Sequence, residues 1–238
     1  MPNPTTATKP PLWEVQRARL ESFGKAQVNF DLERTAEYTA ENGWRIDDYE
    51  IELPSEQPGP PAEHGPWQAG QQILRNYTFP PSDLITGIFV PDAPLENRTM
   101  VLRAQFLFFT FWFGVRIGGV TDERRTLPDG TQEQVWGYNY RTLEGHFERG
   151  QIEFTIHKNL STGRVVFHIH AFSQVGRIRN PFYWLGFRLF GRPLQRRFAH
   201  ESLRRLREQV DEMLRTGASA NRASDAAVAL PAGALPPQ

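Results

Sequence analysis

"QIEFTIHKNLSTGRVVFHIHAFS", residues 151–173, decides the fold, because apolar and polar side chains alternate on both sides of the loop "KNLSTG". Successive side chains of a strand point to opposite faces, so Ile152, Phe154 and Ile156 share one face, and Val165, Phe167, Ile169 and Ala171 share its counterpart across the loop. This predicts an antiparallel hairpin with that face toward the core. The opposite face, with Glu153, Thr155, His157, Arg164, Val166, His168 and His170, is predicted to meet solvent.

Downstream, "PLQRRFAHESLRRLREQVDEMLR" (193–215) places Phe198, Leu203, Leu206, Val210 and Met213 or Leu214 on one helical stripe, with Pro193 near the first turn. Such a stripe needs a sheet to lie on. Upstream, Asp31 as N-cap and Asn42-Gly43 as stop predict a helix over 31–42. Tyr49, Ile51 and Leu53 alternate with Glu50 and Glu52, a half-buried strand within 44–53. Weaker strand patterns cover 71–79 and 84–90, a long strand pair covers 99–121, and Asp129-Gly130 makes a hairpin turn leading into a strand over 133–143. The expected architecture is α+β: a curled antiparallel β-sheet wrapped around a long C-terminal helix.

The chain has 238 residues, enough for one good-sized core, with 27 Lys and Arg balancing 27 Asp and Glu and no cysteine. The balance argues against a nucleic-acid partner, and the absence of thiols excludes disulfides, thiolate metal sites and a cysteine nucleophile. A single domain over 12–216 is expected, with a Pro-rich loop at 54–66 and mobile tails at 1–11 and 217–238. No secretory signal is visible, so a cytoplasmic location is the expectation. The apolar runs 106–115 and 182–191 are about half the roughly 20 residues of a spanning helix.

Gly137, Tyr138, Tyr140, Thr142, Leu143, Gly145, His146, Glu148, Gly150 and Phe154, followed by "AFS" (171–173) and "PLQRRF" (193–198), resemble the domain-of-unknown-function family 1990. The resemblance runs through residues 110–214. That family is similar in fold to START-like, helix-grip proteins, which implies a sheet gripping the last helix with a cavity between them. The chain departs from the family pattern at Glu144 and Phe147, where prolines are usual, and at Gln151 and Ile152, where acidic residues are usual.

A cavity of this kind implies a hydrophobic or amphipathic small-molecule ligand, lipid or polyketide-like. Its expected lining is Phe108, Phe111, Trp112, Trp136, Tyr138, Tyr140, Phe198 and Leu206, with Arg192 and Arg196 near an anionic head. In "GYNYRTLEGHFERGQIEF" (137–154), Glu144, His146 and Glu148 would project to one side of an extended chain as an acid/base set. Gly145 and Gly150 instead predict that the chain turns, with His146 and Glu148 serving loop backbone groups. The competing readings are a hydrolase or cyclase-like enzyme using His146 with Glu148 or a tyrosine, and a peripheral membrane interaction module without a cavity. His168 and His170 with His157 and Glu153 have spacing compatible with a metal, but a polar sheet face explains them, so no metal and no cofactor are expected. Finally, Arg177, Arg179, Arg188, Arg192, Arg196, Arg197, Arg204, Arg205 and Arg207, interleaved with Phe182, Tyr183, Trp184, Phe187 and Phe190 and opposed locally only by Glu201, suggest peripheral membrane contact through 177–207. The sequence leaves the oligomeric state unknown.

Overall fold

A computed structural model describes residues 10–106, 109–178 and 180–228, apart from the side chains of 182–184, 186–189 and 218–228. Seven antiparallel strands form one sheet: β1 (Arg45–Leu53), β2 (Ile85–Ile88), β3 (Thr99–Phe106), β4 (Phe109–Thr126), β5 (Gln132–Thr142), β6 (Glu148–Asn159) and β7 (Val165–Val175). Their spatial order is β1-β7-β6-β5-β4-β3-β2. The hairpin that predicted the sheet is β6–β7, with Ile156 opposite Phe167 and Phe154 opposite Ile169. Phe154, Ile156, Val165, Phe167 and Ile169 are buried on its inner face. On the outer face Thr155 and Val166 are buried too, contrary to the expectation of solvent, as these strands lie inside the sheet between β1 and β5.

Helices α1 (Leu12–Val15) and α2 (Arg17–Lys25) open the chain. Helix α2 packs on the outer face, where Leu20 meets Ile88 and Val101, flanked by Trp13, Phe23 and Trp112. The helix expected over 31–42 is a short 3-10 helix, Leu32–Glu37, whose first turn Asp31 caps through the Glu33 backbone N–H (3.0 Å). It ends early as Tyr38 stacks on Trp44 (3.9 Å) in a cluster with Phe30 and Phe172.

The segment 71–79, expected as a strand, belongs mostly to α3 (Pro66–Asn76). Its correct signal was Pro66 at the first helical position followed by Trp67, Gly70, Ile73 and Leu74 at helical spacing. The last helix, α4, is longer than expected, running Pro181–Val228 with Pro193 inside it rather than at its start. It takes in the whole apolar run 182–191 and continues into the segment that composition marked as a tail. Its stripe of Phe198, Leu203, Leu206 and Val210 is buried against the sheet and α3. Among the described residues no helix is long and apolar enough to cross a membrane.

An ion pair absent from the sequence reading anchors this arrangement. Lys158, on the inner face at the far end of β6, donates to Glu56 Oε2 (2.6 Å) and to the Gln57 and Pro60 carbonyls (3.1 and 2.9 Å). Both side chains are buried, at 0% and 2% exposure. Glu56 in turn accepts the Ala62 and Trp67 backbone N–H groups (2.8 and 2.9 Å), so one carboxylate folds the Pro-rich loop and caps the start of α3. Removing one partner of a buried pair strands the other's charge. Lys158→Met is therefore expected to cost about 3–5 kcal/mol in urea denaturation, and adding Glu56→Gln should recover part of that loss.

Candidate functional site

Helix α3 fills only part of the concave face. Beneath α3, Trp67, Ile73 and Leu74 pack into one core with Trp136, Tyr138, Phe154 and Ile156. Toward the other end of the sheet, the Phe190–Ala199 stretch of α4 stands away from the strands, leaving a cavity of about 350 Å³. Its walls are mostly apolar: Leu102, Ala104 and Phe106 from β3, Phe111 and Phe113 from β4, Tyr140 from β5, Ile152 from β6, Ile169 and Ala171 from β7, and Leu194 and Phe198 from α4. Phe111 and Phe113 lie nearly parallel (6.2 Å, 9°), and Phe147 stands edge-on to both. At one rim Phe106 of β3 meets Phe190 of α4 (5.1 Å).

Polar groups gather where the β5–β6 turn approaches α4. Gly145 has φ +85°, and a Cβ there would meet nothing within 4 Å, so glycine is needed for its backbone conformation alone. Gly150 serves differently from the expected turn, because it lies within β6 and a Cβ would fall 2.1 Å from the Phe172 carbonyl oxygen of β7. Thr142 Oγ1 accepts the Gly150 backbone N–H (2.9 Å) and donates to Asn29 Oδ1 (2.6 Å), tying the turn to the N-terminal segment.

The turn brings both His146 and Glu148 to the cavity wall, while Glu144 is exposed. The hydrogen bond between them runs from the Glu148 backbone N–H to His146 Nδ1 (3.0 Å), which places the proton of a neutral imidazole on Nε2. Burial pushes His146 down to about 4, with the Glu148 backbone contact partly opposing it, and its ring lies 4.5 Å from that of Phe113. Burial pushes the Glu148 carboxyl up to about 7, against the field of Arg45 and hydrogen bonds from Gln195 and Ser173. Gln195 Nε2 of α4 donates to Glu148 Oε1. The neighbouring acid, Asp47 of β1, has its charge matched: Arg192 grips both carboxylate oxygens (2.6 Å each) and the Tyr49 hydroxyl donates to one (3.2 Å). Burial raises Asp47, but the Arg192 fork outweighs it and holds the carboxyl below its ordinary value.

Of the expected lining residues, Phe111, Tyr140 and Phe198 reach this cavity together with His146 and Glu148. Trp136, Tyr138 and Leu206 are in the solid core, where the Tyr138 hydroxyl donates to the Leu74 carbonyl (2.9 Å) and Arg75 covers Trp136 (4.3 Å). Trp112 is on the outer face under Arg19 (4.5 Å). Arg192 is committed to Asp47, Arg196 is exposed on α4, and Phe108 lies outside the described residues. The sequence reading missed Asp47 and Gln195, although the β1 alternation puts Asp47 on the same face as Tyr49 and Ile51.

The basic stretch is more neutralised than its own residues suggest. Arg197 pairs with Asp83 and Glu201, Arg204 with Glu208, and Arg205 donates to the Phe79 carbonyl. Arg179 and the side chains of Phe182, Tyr183, Trp184, Phe187 and Arg188 fall outside the described residues. The histidines of the outer face are joined to acids: His170 and His168 to Asp48 (2.8 and 3.3 Å), and His157 to Glu133 (3.3 Å). No group of three or more His, Cys, Asp or Glu among the described residues is arranged to hold a metal ion.

Two predictions rest on this geometry. Gly145→Val should cost about 1–2 kcal/mol in thermal or urea unfolding, since a β-branched residue must adopt a left-handed conformation in open space. The two shifted groups also act on stability in opposite senses. His146 stays neutral in the fold, so its contribution is lost as pH falls from 6.5 toward about 4. Glu148 stays protonated in the fold, so its burial becomes costly as pH rises from 4.5 through about 7. Relative to the unmodified protein, Glu148→Gln should make stability rise more steeply with pH across this range, and His146→Asn should make it fall; urea midpoints at a series of pH values measure both.

The family model described as Domain of unknown function (DUF1990) matches residues 29–205. No curated protein matches the sequence. Among solved structures, "Crystal structure of Ara h 8.0201" is similar at 10% identity and a TM-score of 0.43, covering 71% of this chain and 99% of that one. With the family model spanning most of its length, the chain belongs to the DUF1990 family of unknown function.

Proposed function

We propose that the protein binds a hydrophobic or amphipathic small molecule between the sheet and α4. The observation that carries this reading is the cavity itself: about 350 Å³, walled mostly by aliphatic and aromatic side chains, with Asp47, His146, Glu148 and Gln195 among its polar groups. Ligand sites commonly combine this volume with an apolar lining and a small number of orienting groups. Exposed Phe109, Leu185 and Phe190 support a further part of the proposal, contact of this region with a lipid surface that supplies the ligand.

One feature favours a second reading. A carboxyl held at about 7 beside an apolar space suits general acid/base catalysis, so a hydrolase or cyclase-like activity at Glu148 is the alternative. His146 then orients the turn through its bond to the Glu148 backbone, since its low proton affinity suits it poorly to act as a base near neutral pH.

Native mass spectrometry of the purified protein and titration with N-phenyl-1-naphthylamine, a neutral apolar fluorophore, separate these readings. Saturable binding, or a co-purifying molecule released intact, is expected for the binder; release of a chemically altered molecule indicates the enzyme. Ala171→Trp places a large side chain in the cavity wall and should weaken probe binding roughly tenfold or more, with circular dichroism checking that the fold persists.

A further inference from the structure

We infer that the ligand class is an apolar molecule carrying one basic amine, whose ammonium group is held by Glu148 at the polar end of the cavity. This inference rests on the cavity-binding reading and adds the chemistry that selects among apolar molecules. No Lys or Arg is among the described residues lining the cavity; its ionisable members are Asp47, Glu148, His146, Tyr49 and Tyr140. Asp47 already has a fork of two hydrogen bonds from Arg192 and a third from Tyr49. Glu148 receives neutral donors, Gln195 on Oε1 and the Ser173 hydroxyl, and no cation among the described residues is paired with it.

The groups facing Glu148 can be taken element by element. From β1 come Arg45, whose field favours the carboxylate, and Asp47, whose field opposes it. Arg192 of α4 stands near but is spent on Asp47. Tyr140 of β5 is a buried phenol whose pKa is pushed up to about 12 by burial, so it brings no charge near neutrality. His146 is also neutral there, its pKa lowered by burial. The polar end thus has one acid balanced by arginine and a second balanced only from a distance. An ammonium group would supply the missing charge through a charge-assisted hydrogen bond, while its alkyl or aromatic body would lie against Phe111, Phe113, Ile169 and Phe198. An anionic head would face the Glu148 carboxylate with no arginine among the described residues of the cavity lining to receive it, since Arg45 and Arg196 act on this end only from outside the wall, which reverses the head-group preference expected from sequence.

The test measures displacement of bound N-phenyl-1-naphthylamine by octylamine, octanol and octanoate, which share one chain and differ in the head group. At pH 8 octylamine should displace the probe at roughly tenfold lower concentration than octanol, and octanoate should be the weakest. Octylamine stays protonated throughout, so its affinity should fall as pH drops from 8 to 6 and Glu148 takes up a proton, while that of octanol should change little. Glu148→Gln should bring the amine-to-alcohol ratio close to one. Octanol or octanoate matching octylamine, or a ratio unchanged in Glu148→Gln, overturns the amine assignment and leaves the cavity reading standing. Failure of the probe itself to bind the unmodified protein overturns both.

Discussion

An ammonium and a carboxylate removed from water together must find every hydrogen bond inside the protein, and Lys158 with Glu56 do so at one end of the sheet. The consequence reaches well beyond the pair. Because Glu56 also accepts the Ala62 backbone N–H of the loop and the Trp67 backbone N–H of the first turn of α3, the loop before that helix has a fixed course and the helix a fixed starting point. From there α3 lays Trp67, Ile73 and Leu74 over the inner face, and the interior beneath it is solid. The cavity is the part of the concave face that α3 does not reach and that α4 spans, held to the strands by Arg192 on Asp47 and Gln195 on Glu148. Solid and hollow halves of one sheet face thus follow from where a single helix begins.

Much of the architecture was legible in the sequence because the strands that decide it alternate with a period of two. Alternation in 44–53 and 151–173, the β-branched and aromatic content of 99–121 and the Asp129-Gly130 turn before 133–143 predict the sheet, and the Phe198-to-Val210 stripe predicts the helix that lies on it. What alternation does not give is which inner-facing aromatic ends under a helix and which faces open space. Tyr138 and Tyr140 are two residues apart on the same face of β5, yet one is sealed under Leu74 while the other borders the cavity. Misreading α3 as a strand removed the helix that makes this distinction, so Trp136, Tyr138 and Leu206 were assigned to the wrong half. Arg192 was misjudged for a related reason: its partner lies 145 residues earlier, on β1, and only the folded chain brings them together.

The Gly145–Glu148 segment shows two readings of one motif meeting in the structure. The turn is real, and His146 serves the backbone as a turn-stabilising residue should. The same turn nevertheless aims Glu148 at α4, where desolvation gives its carboxyl a proton affinity unlike that of Asp47 nearby. The difference between these two acids comes first from depth, since Glu148 is the more deeply buried, and then from partners, a guanidinium fork on Asp47 against neutral donors on Glu148.

An open sheet has two edges, and here they differ. β2 spans only Ile85–Ile88, too short a template for a second chain to extend. β1 runs the full length of Arg45–Leu53, but Asp48, Glu50 and Glu52 line its outer face, and His170 of β7 and Arg164 just before that strand are already their partners there. A strand adding to this edge would crowd its side chains against those carboxylates and disturb solvated ion pairs. The acids that complete the charge pattern of β7 therefore also discourage edge-to-edge assembly, keeping the sheet at seven strands.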